Sequence, residues 1–371
     1  MGVKFQFFTT KRPPAAERRR TKRNAEKRRT RKVKGREQMK NEQMTMTFRE
    51  KLNMLLCMNG GINDRTVRLL NGSQNYKLKV MCRLRDKEWI EKKSNITRFT
   101  KDAVEVIGKD PDQYPYGYLA KSRRESYIGA GKQHARRVLR QGETLAMMIE
   151  SGIEIYESNI SELPNKIVYV KGTQIKEQQE YIDKQALSRS RSMGTIFAGS
   201  EAVYNVYTLG TRNQAWETLA ESLGKEVAER ISQKQYGKAL KCKAAVMVDN
   251  LDIIKTITRE TKRGGGIKAG EVYQQMYLIP KTEMGTQLLG LLVLPGADRV
   301  LKSMLEEEGA LNFILPDAVN FRRYRIRHGS AGKIWCIKGY EESISKAMPE
   351  AEIKTVTISA VIKTVLEQMQ N

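Results

Sequence analysis

Between residues 11 and 40 the chain reads KRPPAAERRRTKRNAEKRRTRKVKGREQMK, a stretch with almost nothing apolar to bury. Such a segment cannot offset the entropy lost on ordering, so it is expected to be disordered alone and helical only on a partner. Phe5, Phe7 and Phe8 stand ahead of it as an isolated apolar group. Charge concentrates here as well. Residues 1–44 carry 16 Lys and Arg against 4 Asp and Glu, a net +12, whereas the remaining residues carry 51 against 38. Almost half of the formal +25 therefore sits in a short tail, with Arg18, Arg19, Arg20, Arg28 and Arg29 in its densest clusters. A tail of this kind attracts polyanions almost unavoidably, and nucleic acid is the leading expectation.

At roughly 150 residues per domain, 371 residues leave room for two or three domains, and 40% hydrophobic residues allow a sizeable core. No window approaches the roughly 18–20 apolar residues of a membrane span, since the most apolar stretch is Leu288–Leu294. No membrane partner is expected, and the N-terminus lacks the apolar core of a signal peptide. Cys57, Cys82, Cys242 and Cys336 are far apart, without a CxxC pair, which suits free buried thiols in a reducing cytoplasm. His134 and His328 are too few for a histidine-rich metal cluster, and neither a metal nor a cofactor is expected.

Folding is expected to begin near residue 45. Phe48, Leu52, Leu55 and Leu56 recur at helical spacing until Asn59-Gly60-Gly61 stops them. Asn63 caps a second short helix, and Ser73 caps a third in which Tyr76, Val80 and Leu84 form the apolar stripe. Trp89-Ile90 and Ile96–Phe99 read as strands around the basic turn Lys92-Lys93-Ser94-Asn95, and Thr100 caps a last helix. Three helices followed by a ribbon is the plan of a winged helix-turn-helix, assigned to residues 45–109. In that plan the helix opened by Ser73 enters the major groove of double-stranded DNA, with Gln74, Asn75, Lys77, Lys79 and Arg83 off its apolar stripe. Lys92, Lys93 and Arg98 form the wing along the backbone. Phosphate contacts from the tail hold the duplex while the helix selects a site.

Asp110–Gly117, with Pro111 and Pro115, reads as a linker, and Ser126–Glu150 as a helix. Residues 110–187 form a linker and helical connector, with short strands at Glu154–Tyr156 and Ile167–Val170. From residue 188 strands alternate with helices: Thr195–Ala198, Ala202–Leu209, a helix over Gln214–Gln233, Ala244–Val248, a helix capped by Asn250, Gln275–Ile279, a helix from Thr282 to Val293 and another over Asp298–Glu307. Strands at Arg323–Arg327 and Ile334–Ile337 and a helix over Glu341–Met348 follow. The fold class is α/β, α+β overall, with a mixed sheet in residues 188–371.

The helix ending Leu145-Ala146-Met147-Met148-Ile149-Glu150-Ser151-Gly152, the run Ser190–Thr195 and the strand Ala202–Tyr207 follow the winged-helix pattern in an order that resembles a family of mobile elements. With Tyr277-Leu278-Ile279-Pro280, Gly285 and Leu288–Leu294, the chain is similar to the replication-relaxation type proteins of plasmids and integrative elements in Gram-positive bacteria. The resemblance spans residues 48–350 through short motifs, and the basic tail lies outside it. It implies a winged helix joined to a restriction-endonuclease-like α/β domain, acting in replication, mobilisation or transcriptional control, in association with nucleoid or plasmid. Partners so implied are double-stranded DNA, a second copy of the chain, or other replication and mobilisation proteins. The leading expectation is a non-catalytic DNA-binding protein. An alternative is an RNA-binding nucleoprotein, which the arginine-rich tail would also suit. Another is a Mg²⁺-dependent nuclease built on Pro316-Asp317 and Lys338, but Cys336 stands where such a site needs its second carboxylate.

Other candidates have plainer explanations. Asp249 and Asp252 flank a strand end, where α/β proteins place ligands, but helix capping accounts for them. Gly264-Gly265-Gly266 lacks the P-loop spacing and reads as a connector. Tyr204 and Tyr207 read as ordinary sheet residues. His134 lies among Lys132, Arg136, Arg137 and Arg140, a basic face suited to phosphate rather than to acid–base chemistry. Arg323, Arg325 and Arg327 would share one face of a strand.

Overall fold

Side-chain caps decide where the first elements begin. The computed structural model describes residues 46–129, 131–157, 160–177, 184–210, 216–258, 267–304 and 307–370. Helix α1 (Phe48–Asn59) is buried along most of its length. After strand β1 (Ile62–Asn63), the Asn63 side chain accepts from Thr66 N and opens α2 (Asp64–Leu69). Ser73 does the same for Tyr76 N at α3 (Gln74–Asp86). Strands β2 (Ile90–Lys93) and β3 (Ile96–Phe99) pair through a two-residue turn, with Lys93 opposite Ile96. Ser94 and Asn95 both have positive φ, the geometry that matches the twist of a hairpin. The β1 strand pairs antiparallel with β3, giving a three-stranded sheet β1-β3-β2, and Thr100 caps α4 (Lys101–Ile107).

The expected linker at Asp110–Gly117 is packed rather than loose. Tyr114 is buried, and a Cβ on Gly117 would lie 2.3 Å from the Ile107 carbonyl oxygen. The single helix expected over Ser126–Glu150 is two, α5 (Gly117–Ile128) and α6 (Lys132–Glu150), with Gly129 and Gly131 between them. Glycine is costly inside a helix, and this spacing outweighed the apolar periodicity.

Strands β4 (Glu154–Tyr156), β5 (Ile167–Lys171), β6 (Gly194–Ala198), β7 (Ala202–Thr208), β8 (Cys242–Val248) and β9 (Met276–Pro280) form one sheet in that order. All neighbours are parallel except at β6, which pairs antiparallel with both β5 and β7. The mixed α/β sheet therefore exists, but it begins at Glu154 and crosses the division expected at residue 188. The short α7 (Gly172–Glu177) and α8 (Lys184–Ser188) lie between β5 and β6. Helix α9 (Thr218–Tyr236) packs on β7 and β8, and α6 contacts β4 and β7 as well as α1 and α2. Asn250 caps a 3₁₀ turn (Leu251–Ile253) that continues into α10 (Ile254–Ile257). Strands β8 and β9 are near-continuous buried apolar runs, as parallel strands covered on both faces require.

After β9, Thr282 caps α11 (Glu283–Val293), whose apolar face covers the sheet end. A Cβ on Gly285 would stand 1.7 Å from the Pro280 carbonyl oxygen, so the helix can sit there only with glycine. Gly285→Ala is expected to destabilise the protein by about 1–3 kcal/mol through overpacking, read as a lower urea midpoint. The chain continues through α12 (Ala297–Ser303), β10 (Ala310–Phe313), α13 (Ala318–His328), β11 (Ala331–Ile337), α14 (Glu341–Ala347), β12 (Glu350–Val356) and α15 (Ile358–Gln370). Strands β10, β11 and β12 form a second, all-parallel sheet. It joins the first where Leu278 N donates to Pro316 O at 2.8 Å and Tyr277 bridges Asp317.

The expected strand Arg323–Arg327 is the helix α13. Asp317 caps it, and Ala318, Val319 and Phe321 are its buried face. On a helix Arg323, Arg325 and Arg327 no longer share one face, because residues two apart point to different sides, and Arg325 reaches Thr258 Oγ1.

Candidate nucleic-acid interface and cationic cavity

Helix α3 turns Val80, Met81 and Leu84 inward, and the fourth member of that stripe is Lys77, only 7% exposed. Its stem packs inside while Nζ donates to Arg68 O at 3.3 Å, and desolvation lowers its pKa against the pull of Glu150. Lys77 is therefore removed from the expected contact surface, and Tyr76, which is 44% exposed, takes the outward position instead. Of the expected stripe Tyr76, Val80 and Leu84, the last two face inward and Lys77 replaces Tyr76 at its start. Gln74, Asn75, Lys79 and Arg83 are exposed, and Asn75, Lys79 and Arg83 stand at i, i+4 and i+8 along one row. The Ser73 hydroxyl is engaged as the helix cap.

The hairpin cations are differently placed. Lys92 contacts Asp64 at 2.8 Å, and Arg98 bonds Glu91 at 2.7 Å, with Arg124 on the same carboxylate. Lys93 at the turn is exposed and has no partner among the described residues. Arg18, Arg19, Arg20, Arg28 and Arg29 lie outside the described residues, as does the glycine run 264–266.

A second constellation sits at the carboxyl edge of the main sheet, where open α/β folds place ligands. Asp249 follows β8, Lys281 follows β9, and Glu143 projects from α6. The Lys281 side chain is fully buried, with Nζ 3.0 Å from Glu143 Oε2 and 2.9 Å from Asp249 Oδ1. These are close charge contacts, although Lys281 Nζ and Glu143 Oε2 lie outside ideal hydrogen-bond angles. Arg65 of α2 completes the group, donating to Asp249 Oδ1 at 2.8 Å and to the carbonyl oxygens of Asp249 and Lys281. Burial raises the Asp249 pKa, but Lys281 and Arg65 outweigh it and hold the carboxyl below its usual range. The sequence pattern singles out Asp249 but not its partners. Their signal is the abrupt charge that ends each apolar strand, Val-Asp in one and Pro-Lys in the other.

Beside this network the ends of β5, β6 and β7 open a cavity of about 760 Å³. Arg137, Arg140, Lys176, Arg189 and Arg191 line it, with Glu217 as the acidic lining residue among the described residues. Arg189 reaches Glu217 at 3.3 Å, and Arg137 donates to Nδ1 of His134, which leaves that imidazole in a basic setting rather than in an acid–base pair. The rim is fixed from beneath by Glu221, fully buried, which accepts from Ser190 Oγ, Arg191 N and Tyr207 OH. A polar chain continues inward: Tyr273 OH lies 2.7 Å from Tyr207 OH and accepts from Asn205 Nδ2, while Thr195 Oγ1 donates to Asn205 Oδ1. Because Tyr207 gives its proton to Glu221, Tyr273 must donate to Tyr207. Burial pushes both phenol pKa values far up, so Tyr207 is structural. Tyr204, also buried, donates to Leu292 O.

The remaining candidates are engaged in packing. Asp317 Oδ1 accepts from Met276 N and Val319 N, and burial raises its pKa. Lys338 follows β11 in the second sheet, Cys336 is buried, and Asp252 binds Ser343 and Lys346. Cys57 and Cys242 are buried too, but Cys82 on α3 is exposed, unlike the expected buried thiol. Among the described residues no group of three or more His, Cys, Asp and Glu side chains is placed to hold a metal ion. Nor is any described helix long and apolar enough to cross a membrane. In comparisons with known proteins, the chain matches no family model, no curated protein and no solved structure.

Proposed function

We propose that this chain is a non-catalytic DNA-binding protein that reads duplex DNA through α3 and the β2–β3 hairpin. The observation that carries the reading is the exposed face of α3. A capped helix presents Gln74, Asn75, Lys79 and Arg83 outward on a rigid apolar base, with a tight hairpin beside it. Asn and Gln pair with adenine, and Arg with guanine, at major-groove edges. The order helix–strand–helix–helix–ribbon supports the winged-helix reading, and the neutralised Lys92 and Arg98 leave Lys93 as the main hairpin contact. The mixed sheet flanked by α6 and α9 is compatible with a restriction-endonuclease-like domain. The capping role of Asp317 supports an absence of cleavage there. Service to a mobile element, in replication, mobilisation or transcriptional control, rests on the sequence resemblance. Gel shifts of the full chain on random and element-derived duplexes test the proposal. Preferential retention of an element-derived duplex is expected, and equal, salt-sensitive binding to every duplex would remove sequence reading.

A further inference from the structure

The cavity at the carboxyl edge of the main sheet holds more positive charge than its fold requires. Arg137, Arg140, Lys176, Arg189 and Arg191 line one concave space, where Glu217 pairs with Arg189 and the buried Glu221 attracts Lys176 from beneath, two carboxylates against five cations. Like charges gathered on one concave wall repel, so such clustering is costly unless an anion is received. The recess is also built rather than incidental. Glu221, beneath the rim, fixes the Ser190-Arg191 backbone, and desolvation lowers the pKa of Lys176. Trp216, 7% exposed, forms part of the cavity wall with its ring edge-on to Tyr207 and tilted against Tyr273. The volume falls within the range of ligand pockets and exceeds what a single phosphate fills.

We propose that this cavity is a phosphate site for a nucleotide unit, with the arginines on phosphoryl oxygens and Trp216 as part of the wall beside the ligand. The unit is either a free nucleotide or one residue of a single nucleic-acid strand, because both present the same phosphoryl chemistry. This does not rest on duplex reading by α3, which lies on another element.

Tryptophan emission of the full chain, titrated with ATP, inorganic pyrophosphate and an eight-nucleotide single-stranded DNA, tests it. The chain has three tryptophans, Trp89, Trp216 and Trp335, and none in the tail, so the difference between wild type and W216F separates the cavity from capture elsewhere. Saturable emission change is expected in the wild type and is lost in W216F. The exposed side chains of Arg137 and Arg191 pair with no carboxylate among the described residues, and the Arg191 N–H to Glu221 survives substitution, so R137A/R191A should fold normally and bind at least about tenfold more weakly. An oligonucleotide bound at least about tenfold more tightly than ATP identifies a strand, whereas equal or better binding of ATP identifies a free nucleotide. K79A/R83A is expected to leave these titrations unchanged while weakening duplex binding, so the two readings fail separately. No emission change with any probe, or equal affinity in R137A/R191A, would overturn the phosphate site.

Discussion

Lys281→Met is expected to cost about 3–5 kcal/mol of stability at neutral pH. The substitution fits the volume of the site but removes the cation between Glu143 and Asp249, and the Lys281 side chain has no exposure through which water could replace it. Arg65 alone would then face two carboxylates, at 2.8 Å from Asp249 and 3.9 Å from Glu143. The pH dependence gives a second check. In the wild type the depressed pKa of Asp249 contributes stability above the ordinary aspartate range of about 4, and that contribution is lost as pH falls through the folded value. In the variant, carboxylates without their cation take up protons more readily. The deficit should then be largest at neutral pH and shrink toward about pH 5. Urea unfolding at both pH values measures it. A loss below about 1 kcal/mol, or one independent of pH, would show that the network is not what joins α2 to the sheet edge.

Removal of residues 1–44 is expected to produce the largest change in binding. The deleted segment carries 16 Lys and Arg. Each phosphate that the tail neutralises adds about 0.9 to the steepness of log K against log salt, and about 6–10 such phosphates account for a change of about 10³–10⁵ in affinity between 50 and 200 mM salt. The truncated chain should therefore bind much more weakly at low salt, with a shallower slope. Site preference should survive, because phosphate contacts carry no sequence information. Fluorescence anisotropy over a salt series separates these outcomes. Loss of preference with the tail would mean that the two roles are assigned the wrong way round.

Local chemistry was legible in the sequence, and non-local pairing was not. Asn63, Ser73, Thr100, Asn250 and Thr282 cap where they were expected to, since a cap is a contact within two or three residues. The strands from β4 to β9 were each recognisable, but their union in one sheet depends on partners far along the chain. Alternating arginines imitated a strand at Arg323–Arg327, whereas the buried Val319 and Phe321 ahead of them make a helix. The final β12 and α15 were passed over, although EAEIKTV carries a visible period of two. For the cavity, the basic face of α6 and the Ser190–Thr195 run stand out separately in the sequence. Only the fold brings Arg137 and Arg140 to face Arg189 and Arg191. Lys77 shows the limit of reading charge as exposure, because a long stem can pack while its ammonium reaches a backbone oxygen.

Enrichment of bound duplexes from a random pool measures whether α3 selects a DNA site. The full chain, N75A/R83A and the chain lacking residues 1–44 should be carried through the same selection. The full chain and the truncated chain are expected to converge on one common motif. N75A/R83A should bind with its salt slope retained but relax preference at the positions those side chains read, at about 1–3 kcal/mol for each bidentate pair removed. An unchanged motif from N75A/R83A, or no motif from the full chain, would mean that α3 does not select the site.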